Sequence, residues 1–164
     1  MKHIILVFVF FQFWFAAFSQ QSRIDYILKY QSLAIREMNR SGIPASITMA
    51  QACLESGDGM STLSQTSNNH FGIKCRAEWM GEKVYFDDDA KDECFRKYNT
   101  IEDSYIDHTD FLIQNPRYRT LFDNGSTNYK GWAKGLKQTG YATDNRYDDK
   151  LIEIIEKFQL YKLD

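Results

Sequence analysis

The sequence predicts an α+β domain that is predominantly helical, with a helical core and one small β-hairpin lobe. Apolar residues recur at helical spacing in several segments, and two short β-type runs flank an acidic turn near the middle of the chain. After the first residues, no repeat, low-complexity tract or Pro/Gly/Ser linker divides the sequence. The 164 residues are therefore expected to build one domain with a sizeable core.

The N-terminal segment has the pattern of a secretory signal peptide. Lys2 and His3 precede an apolar and aromatic run over residues 4–18, and the small residues Ala17 and Ser19 give an A-x-S cleavage pattern. A membrane anchor is the alternative, but the run is short for a spanning helix and no basic cluster follows it. The pattern favours a signal peptide.

We therefore expect residues 1–19 to be removed and residues 20–164 to form the domain, secreted or periplasmic and with no integral membrane segment. The formal net charge of −2 becomes −3 once Lys2 is removed, because no acidic residue leaves with it. A mildly acidic protein has no electrostatic footprint for nucleic acid.

Helical stripes and capping residues predict five helices. Their expected first residues are Ser22, Pro44, Thr100, Asn128 and Asp144. Gly57 is expected to end the second of these helices, directly after Glu55 and Ser56.

Two runs in the middle of the chain are predicted as strands. Residues 83–86 and 94–98 are rich in aromatic residues and are joined by an acidic turn over residues 87–92. This pair forms the predicted hairpin lobe.

The cysteines suggest one disulfide. Cys75 and Cys94 flank a polar stretch, whereas Cys53 lies in an apolar helical run, so in an oxidising compartment Cys75 and Cys94 are expected to pair. Cys53 is then a small buried thiol. A zinc site that uses His70 or His108 is the alternative, although the close Cys or His pairs typical of such sites are missing.

Glu55 is the candidate acid. It is expected in the last turn of an apolar helix, near the negative end of the helix dipole. The dipole and the apolar surroundings both disfavour the charged carboxylate, so both raise the pKa of Glu55. A protonated carboxyl near neutral pH is what glycosidic bond cleavage requires, because the leaving sugar oxygen must receive a proton.

Four segments resemble family 73 glycoside hydrolases, endo-β-N-acetylglucosaminidases of the lysozyme superfamily. Residues 50–59 resemble the A-Q-x-x-L-E-S-G-x-G segment, and residues 68–74 the N-N-x-F-G-I-K loop. Residues 95–112 are similar to the F-R-x-Y…S-x-x-D-H…F-L stretch, and residues 140–151 to the G-Y-A-T-D-x-x-Y…K-L motif. The four segments occur in the family's order and extend from residue 50 to residue 151 of the expected domain.

The resemblance implies a lysozyme-like helical core with Glu55 as the general acid. It also implies that Tyr141 lies in the cleft near the bond that is cut. Asn69, Phe71 and Gly72 are expected to shape the cleft wall and contact substrate, with a core position as the alternative for Phe71.

The second carboxylate is expected on the hairpin lobe. Trp79 belongs to a W-x-G segment that the family also has, and it is expected to contact substrate. The family often places a Glu in a Thr-rich strand after this segment, whereas this chain has a run of aspartates. By spacing we choose Asp88 or Asp89; a substrate-assisted route stays open.

The resemblance thus implies a peptidoglycan hydrolase that cleaves the β-1,4 bond between N-acetylglucosamine and N-acetylmuramic acid, with no cofactor or metal, acting as a monomer. The alternatives are a lytic transglycosylase and a catalytically inactive cell-wall-binding module. His108 follows Asp107, but we expect a hydrogen-bonded structural histidine there and not a catalytic pair.

Overall fold

A computed structural model describes residues 2–88 and 90–164, with side chains from Gln20 onward. The predicted signal peptide, residues 1–19, therefore lies outside the described side chains, and Asp89 lies outside the described residues. Helix α1 covers Lys2–Ser41. In the part of the chain whose side chains are described, no helix is long and apolar enough to span a membrane.

Helix α2, Ala45–Ser56, is the centre of the fold. Nearly all of its residues are buried, and it packs against α1 on one side and against the C-terminal helices on the other. A short helix can be buried all round if its residues are apolar or small. The run from Ala45 to Cys53 meets that condition except at Gln51, whose amide is hydrogen-bonded to Tyr147. The catalytic candidate Glu55 is thus fixed at the end of the most enclosed helix.

Six further helical elements of the described chain follow α2, and three of them, α5, α6 and η2, pack directly against it. The six are α3 (Thr62–Ser67), α4 (Ile101–Gln114), the 3-10 helix η1 (Pro116–Asn124), α5 (Tyr129–Gln138), α6 (Tyr147–Lys157) and the 3-10 helix η2 (Leu160–Leu163). Their apolar faces meet in one core whose largest fully buried side chains include Trp132, Leu112, Leu136, Leu151 and Ile155. The predicted fold class is confirmed.

The expected helix starts have mixed outcomes. Thr100 and Asp103 form the predicted capping box, and the Asn128 side chain accepts from the backbone N–H of Gly131 at 3.0 Å. Ser22 is not a helix start, because α1 runs through it without interruption. Asp144 lies before α6 and binds the backbone N–H of Arg146, which is the capping residue.

The hairpin lobe consists of two antiparallel strands. Strand β1 covers Lys83–Phe86 and strand β2 covers Glu93–Arg96, with Lys83 opposite Arg96 and Phe86 opposite Glu93. The second strand is shorter than predicted and begins one residue earlier. It is joined to the helical core because the Arg96 N–H donates to Ile73 O and the Tyr98 N–H donates to Ser67 O.

Candidate active site

Glu55 lies in the last turn of α2, where the helix ends in a left-handed turn. Gly57 has a φ of 58° and donates its N–H to Cys53 O, a conformation that glycine adopts at little cost. The chain therefore turns away directly after Glu55, and its side chain remains partly buried. The predicted end of the helix is confirmed.

The carboxyl of Glu55 is held by two other side chains. Tyr147 Oη donates to Glu55 Oε1 at 2.7 Å, and Gln51 Nε2 donates to Tyr147 Oη at 3.0 Å. Gln51 and Tyr147 are buried, and Gln51 is one helical turn before Glu55, so both lie on the same face of α2. The three residues form a hydrogen-bonded relay between α2 and the first residue of α6.

This relay was not predicted from the sequence. Both residues stand in motifs quoted above, Gln51 in the A-Q-x-x-L-E segment and Tyr147 in the G-Y-A-T-D-x-x-Y segment, yet neither was given a role. The four-residue spacing of Gln51 and Glu55 was the available signal.

The environment raises the pKa of Glu55. Burial is the largest cause, and the hydrogen bond from Tyr147 opposes it by favouring the carboxylate; the charge of Asp88 raises the pKa further and that of Lys150 lowers it. The net direction is upward, so Glu55 retains its proton to a higher pH than an exposed glutamate does.

Tyr141 is beside this relay. Gly140, with a φ of 68°, ends the α5 segment, and the Tyr141 N–H donates to Leu136 O at 3.0 Å. The ring of Tyr141 then stacks on that of Tyr147 with centroids 5.6 Å apart and planes at 25°. Burial, followed by the charge of Glu55, raises the pKa of the Tyr141 hydroxyl well above its ordinary value. The structure thus brings Glu55, Tyr141 and Tyr147 together.

The hairpin contributes Asp88. Its side chain is exposed in the turn between β1 and β2 and forms an ion pair with Lys74 Nζ at 3.1 Å. Lys74 also pairs with Glu93 at 2.9 Å. Because Asp88 contributes to the raised pKa of Glu55, its charge acts on the site from the lobe. Asp89, the other candidate, falls outside the described residues.

Asn69 and Phe71 do not present their side chains to a sugar. Asn69 is 1% exposed, and its amide nitrogen donates to Ile73 O and Arg96 O at 3.0 and 2.9 Å. Phe71 is 3% exposed and stacks on His108 at 3.9 Å. The substrate-contact prediction for these two is corrected: Asn69 ties its loop to β2, and Phe71 belongs to the core. Gly72 is partly exposed with a φ of 63° and stays a candidate for the cleft wall.

Trp79 is partly buried on the hairpin side. Its Nε1 donates to Glu82 O at 2.9 Å, and the guanidinium of Arg96 lies 4.7 Å from its ring. A Cβ on Gly81 would lie 2.4 Å from the indole, which explains the glycine of the W-x-G segment. No contact of Trp79 with Glu55 or Tyr141 occurs among the described residues, so its contact with substrate stays a prediction.

The predicted disulfide joins Cys75 and Cys94, with Cα atoms 5.3 Å apart. The Cys75 N–H also donates to Cys94 O at 2.8 Å, so the segment before the hairpin is fixed to β2 both covalently and through the backbone. Lys74 is thereby placed beside Asp88 and Glu93. The disulfide therefore supports the part of the lobe that carries the candidate second carboxylate.

Comparison with known proteins identifies the family. The sequence model described as mannosyl-glycoprotein endo-beta-N-acetylglucosaminidase, the glucosaminidase family, matches residues 31–160. The chain belongs to the glucosaminidase family. The resemblance to family 73 glycoside hydrolases noted in the sequence is thereby confirmed.

Two relatives of this member of the glucosaminidase family have named activities. It is 34% identical to the peptidoglycan hydrolase FlgJ of Vibrio cholerae over 86% of the present chain and 46% of the relative. It is 36% identical to the exo-glucosaminidase LytG of Bacillus subtilis over 73% of the present chain and 45% of the relative. The chain thus spans about half the length of these curated relatives.

A solved structure extends the likeness. The peptidoglycan hydrolase from Sphingomonas sp. A1 superposes with a TM-score of 0.73 at 31% identity, covering 85% of this chain and 91% of that one. The arrangement of the helical core and hairpin is therefore similar to that of a solved peptidoglycan hydrolase.

The glucosaminidase core also buries His108 and Cys53. His108 is structural, as predicted, but neither ring nitrogen has a hydrogen-bond partner among the described residues, and burial lowers its pKa to about 3. Cys53 is a buried free thiol whose pKa is raised by burial. Within the described part of the chain, no group of three or more His, Cys, Asp or Glu side chains is placed to hold a metal ion.

Proposed function

We propose that this glucosaminidase hydrolyses the β-1,4 bond between N-acetylglucosamine and N-acetylmuramic acid in peptidoglycan. The observation that carries the proposal is the placement of Glu55: a partly buried carboxyl with a raised pKa, hydrogen-bonded to Tyr147 and beside Tyr141. The named activities of the relatives support the same substrate class.

Glu55 acts as the general acid. Cleavage of the glycosidic bond leaves negative charge on the departing sugar oxygen, and Glu55 transfers its proton to that oxygen. The hydrogen bond from Tyr147 fixes one carboxyl oxygen, so the other is directed at the substrate. Tyr141, whose hydroxyl has no hydrogen-bond partner among the described residues, positions the substrate near the bond, through its N-acetyl group.

Asp88 supplies the second carboxylate, with Asp89 as the other candidate on the same turn. In this role the carboxylate acts across the sugar ring from Glu55, either as a base for water or as a stabiliser of the positive charge that develops on the ring. The ion pair with Lys74 supports this role, because it holds the Asp88 carboxylate in place on the turn.

We also propose that residues 1–19 are a signal peptide and that residues 20–164 work as the glucosaminidase domain outside the cytoplasm. The Cys75–Cys94 disulfide supports an oxidising compartment. The substrate class supports a secreted or periplasmic location, because peptidoglycan lies outside the cytoplasmic membrane.

Digestion of purified sacculi tests the proposal. The parent should release fragments with reducing N-acetylglucosamine ends, identified by mass spectrometry after borohydride reduction. Glu55→Gln should lower this release by about a hundredfold or more, because an amide cannot donate the proton. Glu153→Gln, a matched change at an exposed glutamate of α6, should keep parental activity.

Two outcomes would contradict the proposal. Anhydro-muramyl ends would identify a lytic transglycosylase. Binding to sacculi without fragment release by the parent would identify a wall-binding module.

A further inference from the structure

Two arginines lie on aromatic rings that adjoin Tyr141. The guanidinium of Arg76 is 4.7 Å from the centroid of the Phe111 ring, and that of Arg117 is 5.2 Å from the Tyr118 ring. Phe111 and Tyr118 each adjoin Tyr141, with centroids 6.4 and 6.1 Å away. Each guanidinium therefore lies on an aromatic ring that itself adjoins Tyr141.

The two arginines also lie close to one another. Burial raises the pKa of the Tyr118 hydroxyl, whereas the charges of both Arg117 and Arg76 oppose this rise. Phe111 and Tyr118, the rings that carry the arginines, are 5.7 Å apart. The two guanidinium groups therefore share one small region of the surface.

These positive charges have no acidic partner among the described residues. Four of the other six arginines are ion-paired with a carboxylate, namely Arg23, Arg36, Arg40 and Arg96. Arg119 and Arg146 have no ion pair among the described residues. The guanidinium of Arg76 is exposed and donates no hydrogen bond within the described part of the chain, whereas that of Arg117 donates to Thr139 O at 2.8 Å and to Gly140 O at 2.6 Å. The site thus carries uncompensated positive charge and unused donors.

A guanidinium that lies on an aromatic ring is suited to a carboxylate. Its planar donors match the two carboxylate oxygens, and the ring restricts its orientation before the ligand arrives. The proposed substrate has neutral sugar rings, and its carboxylates are carried by the peptide stem on the lactyl group of N-acetylmuramic acid. The stem begins within a few bonds of the linkage that is cut.

We propose that Arg76, with Arg117 beside it, binds a carboxylate of the peptide stem next to the scissile bond. This inference rests on the proposed function. Binding by Arg76 makes the enzyme selective for stem-bearing glycan, because a glycan without peptides lacks the carboxylate that Arg76 binds.

Arg76 is the residue to test. Arg117 also holds the backbone of Thr139 and Gly140, directly before Tyr141, so its substitution would disturb the proposed catalytic site as well. Arg119 provides a matched control, since it is an exposed arginine two residues from Arg117 on the same 3-10 helix and makes no ring contact or ion pair within the described residues.

The experiment compares Arg76→Gln, Arg119→Gln and the parent chain on three substrates. These are stem-bearing glycan, glycan stripped of its peptides by an amidase, and an oligomer of N-acetylglucosamine. Arg76→Gln should raise KM on stem-bearing glycan by about tenfold or more, with kcat little changed, because a charge-assisted hydrogen bond is lost. The deficit should disappear on the two peptide-free substrates, and Arg119→Gln should match the parent on all three.

Each remaining outcome has a distinct meaning. An unchanged KM on stem-bearing glycan, or an equal deficit on all three substrates, would overturn the inference while leaving the proposed function intact. A deficit that persists on stripped glycan but not on the neutral oligomer would assign Arg76 to the free lactyl carboxylate and overturn the stem assignment. A parent that releases no reducing N-acetylglucosamine ends from stem-bearing glycan would overturn the proposed function itself.

Discussion

The two carboxylates proposed for catalysis lie in very different surroundings. Glu55 ends a buried helix, and its carboxyl is fixed by Tyr147 and Gln51, both inside the core. Asp88 lies in an exposed turn of a two-stranded sheet, where Lys74 is its ion-pair partner. An isolated pair of strands is marginally stable by itself, so the lobe depends on its attachments to the core.

The two surroundings suit the different catalytic roles proposed for Glu55 and Asp88. The acid needs a raised pKa, which burial in a rigid core provides. The opposing carboxylate needs to reach the other face of the sugar, and its position on an exposed turn of the lobe permits that. We expect substitutions in the core to change activity mainly through the pKa and position of Glu55. Substitutions in the lobe should change activity through the position of the lobe relative to the core.

The largest effect in this comparison is expected at the lobe aspartates. Asp88→Asn should lower kcat on sacculi by about a hundredfold, because the amide provides neither a base nor a negative charge. Asp92→Asn is the matched control: it lies in the same turn with a φ of 56°, and asparagine tolerates that conformation. If Asp88→Asn retains activity and Asp89→Asn loses it, the role belongs to Asp89; if both retain activity, the reaction is substrate-assisted.

The next effect concerns the relay in the core. Tyr147→Phe should lower kcat by about tenfold, because Glu55 loses the hydrogen bond that positions it. The hydrogen bond lowers the pKa of Glu55, so its removal should raise that pKa. A general acid is active when protonated, and the alkaline limb of the pH profile should therefore move to higher pH.

The measurement is the pH dependence of kcat for Tyr147→Phe beside Tyr161→Phe, an exposed tyrosine in η2. A tenfold loss with an unmoved alkaline limb would assign Tyr147 a packing role only. A limb that moves to lower pH would contradict the relay.

Much of the core could be predicted from the sequence, because the deciding signals are local. Gly57 and Thr100 act on residues within one turn of themselves. The bond between Tyr147 and Glu55 joins residues 92 positions apart, and it depends on how α6 packs on α2, which no local pattern contains. The 3-10 helix η1 was missed because it lacks the 3.6-residue period by which the other helices were recognised.

In the loop before the hairpin, the sequence failed to predict the contacts of a polar side chain for a different reason. Asn69 has the polarity of a sugar-binding residue, but its amide satisfies backbone groups of its own loop and of β2. Sequence gives the hydrogen-bonding capacity of an asparagine but not its partner. The sequence therefore indicated a polar role for Asn69 but not the backbone groups that its amide binds.

A moderate effect is expected from the disulfide. The double variant Cys75→Ser/Cys94→Ser should lose about 3 kcal/mol of unfolding free energy, since an open chain has more unfolded conformations than one closed into a loop. Activity should fall as well, because the segment that holds Lys74 beside Asp88 is no longer joined covalently to β2. Dithiothreitol should reproduce both losses in the parent and change nothing in the variant. Equal stability of the parent with and without dithiothreitol would contradict this role.

The smallest effect is a gain in stability when Glu55 is neutralised. A carboxyl whose pKa is raised in the folded state stabilises the protein only while it is protonated, so its contribution is complete below the unfolded pKa and is lost as the pH rises through the folded pKa. At neutral pH Glu55→Gln should therefore have a Tm about 1 to 3 °C above the parent, and the difference should vanish in acid. Thermal melts at pH 4 and pH 8 measure it, with Glu153→Gln as the exposed control. A Tm below the parent at pH 8 would mean that the ionised carboxylate stabilises the fold, and Glu55 would then be poorly suited to donate a proton.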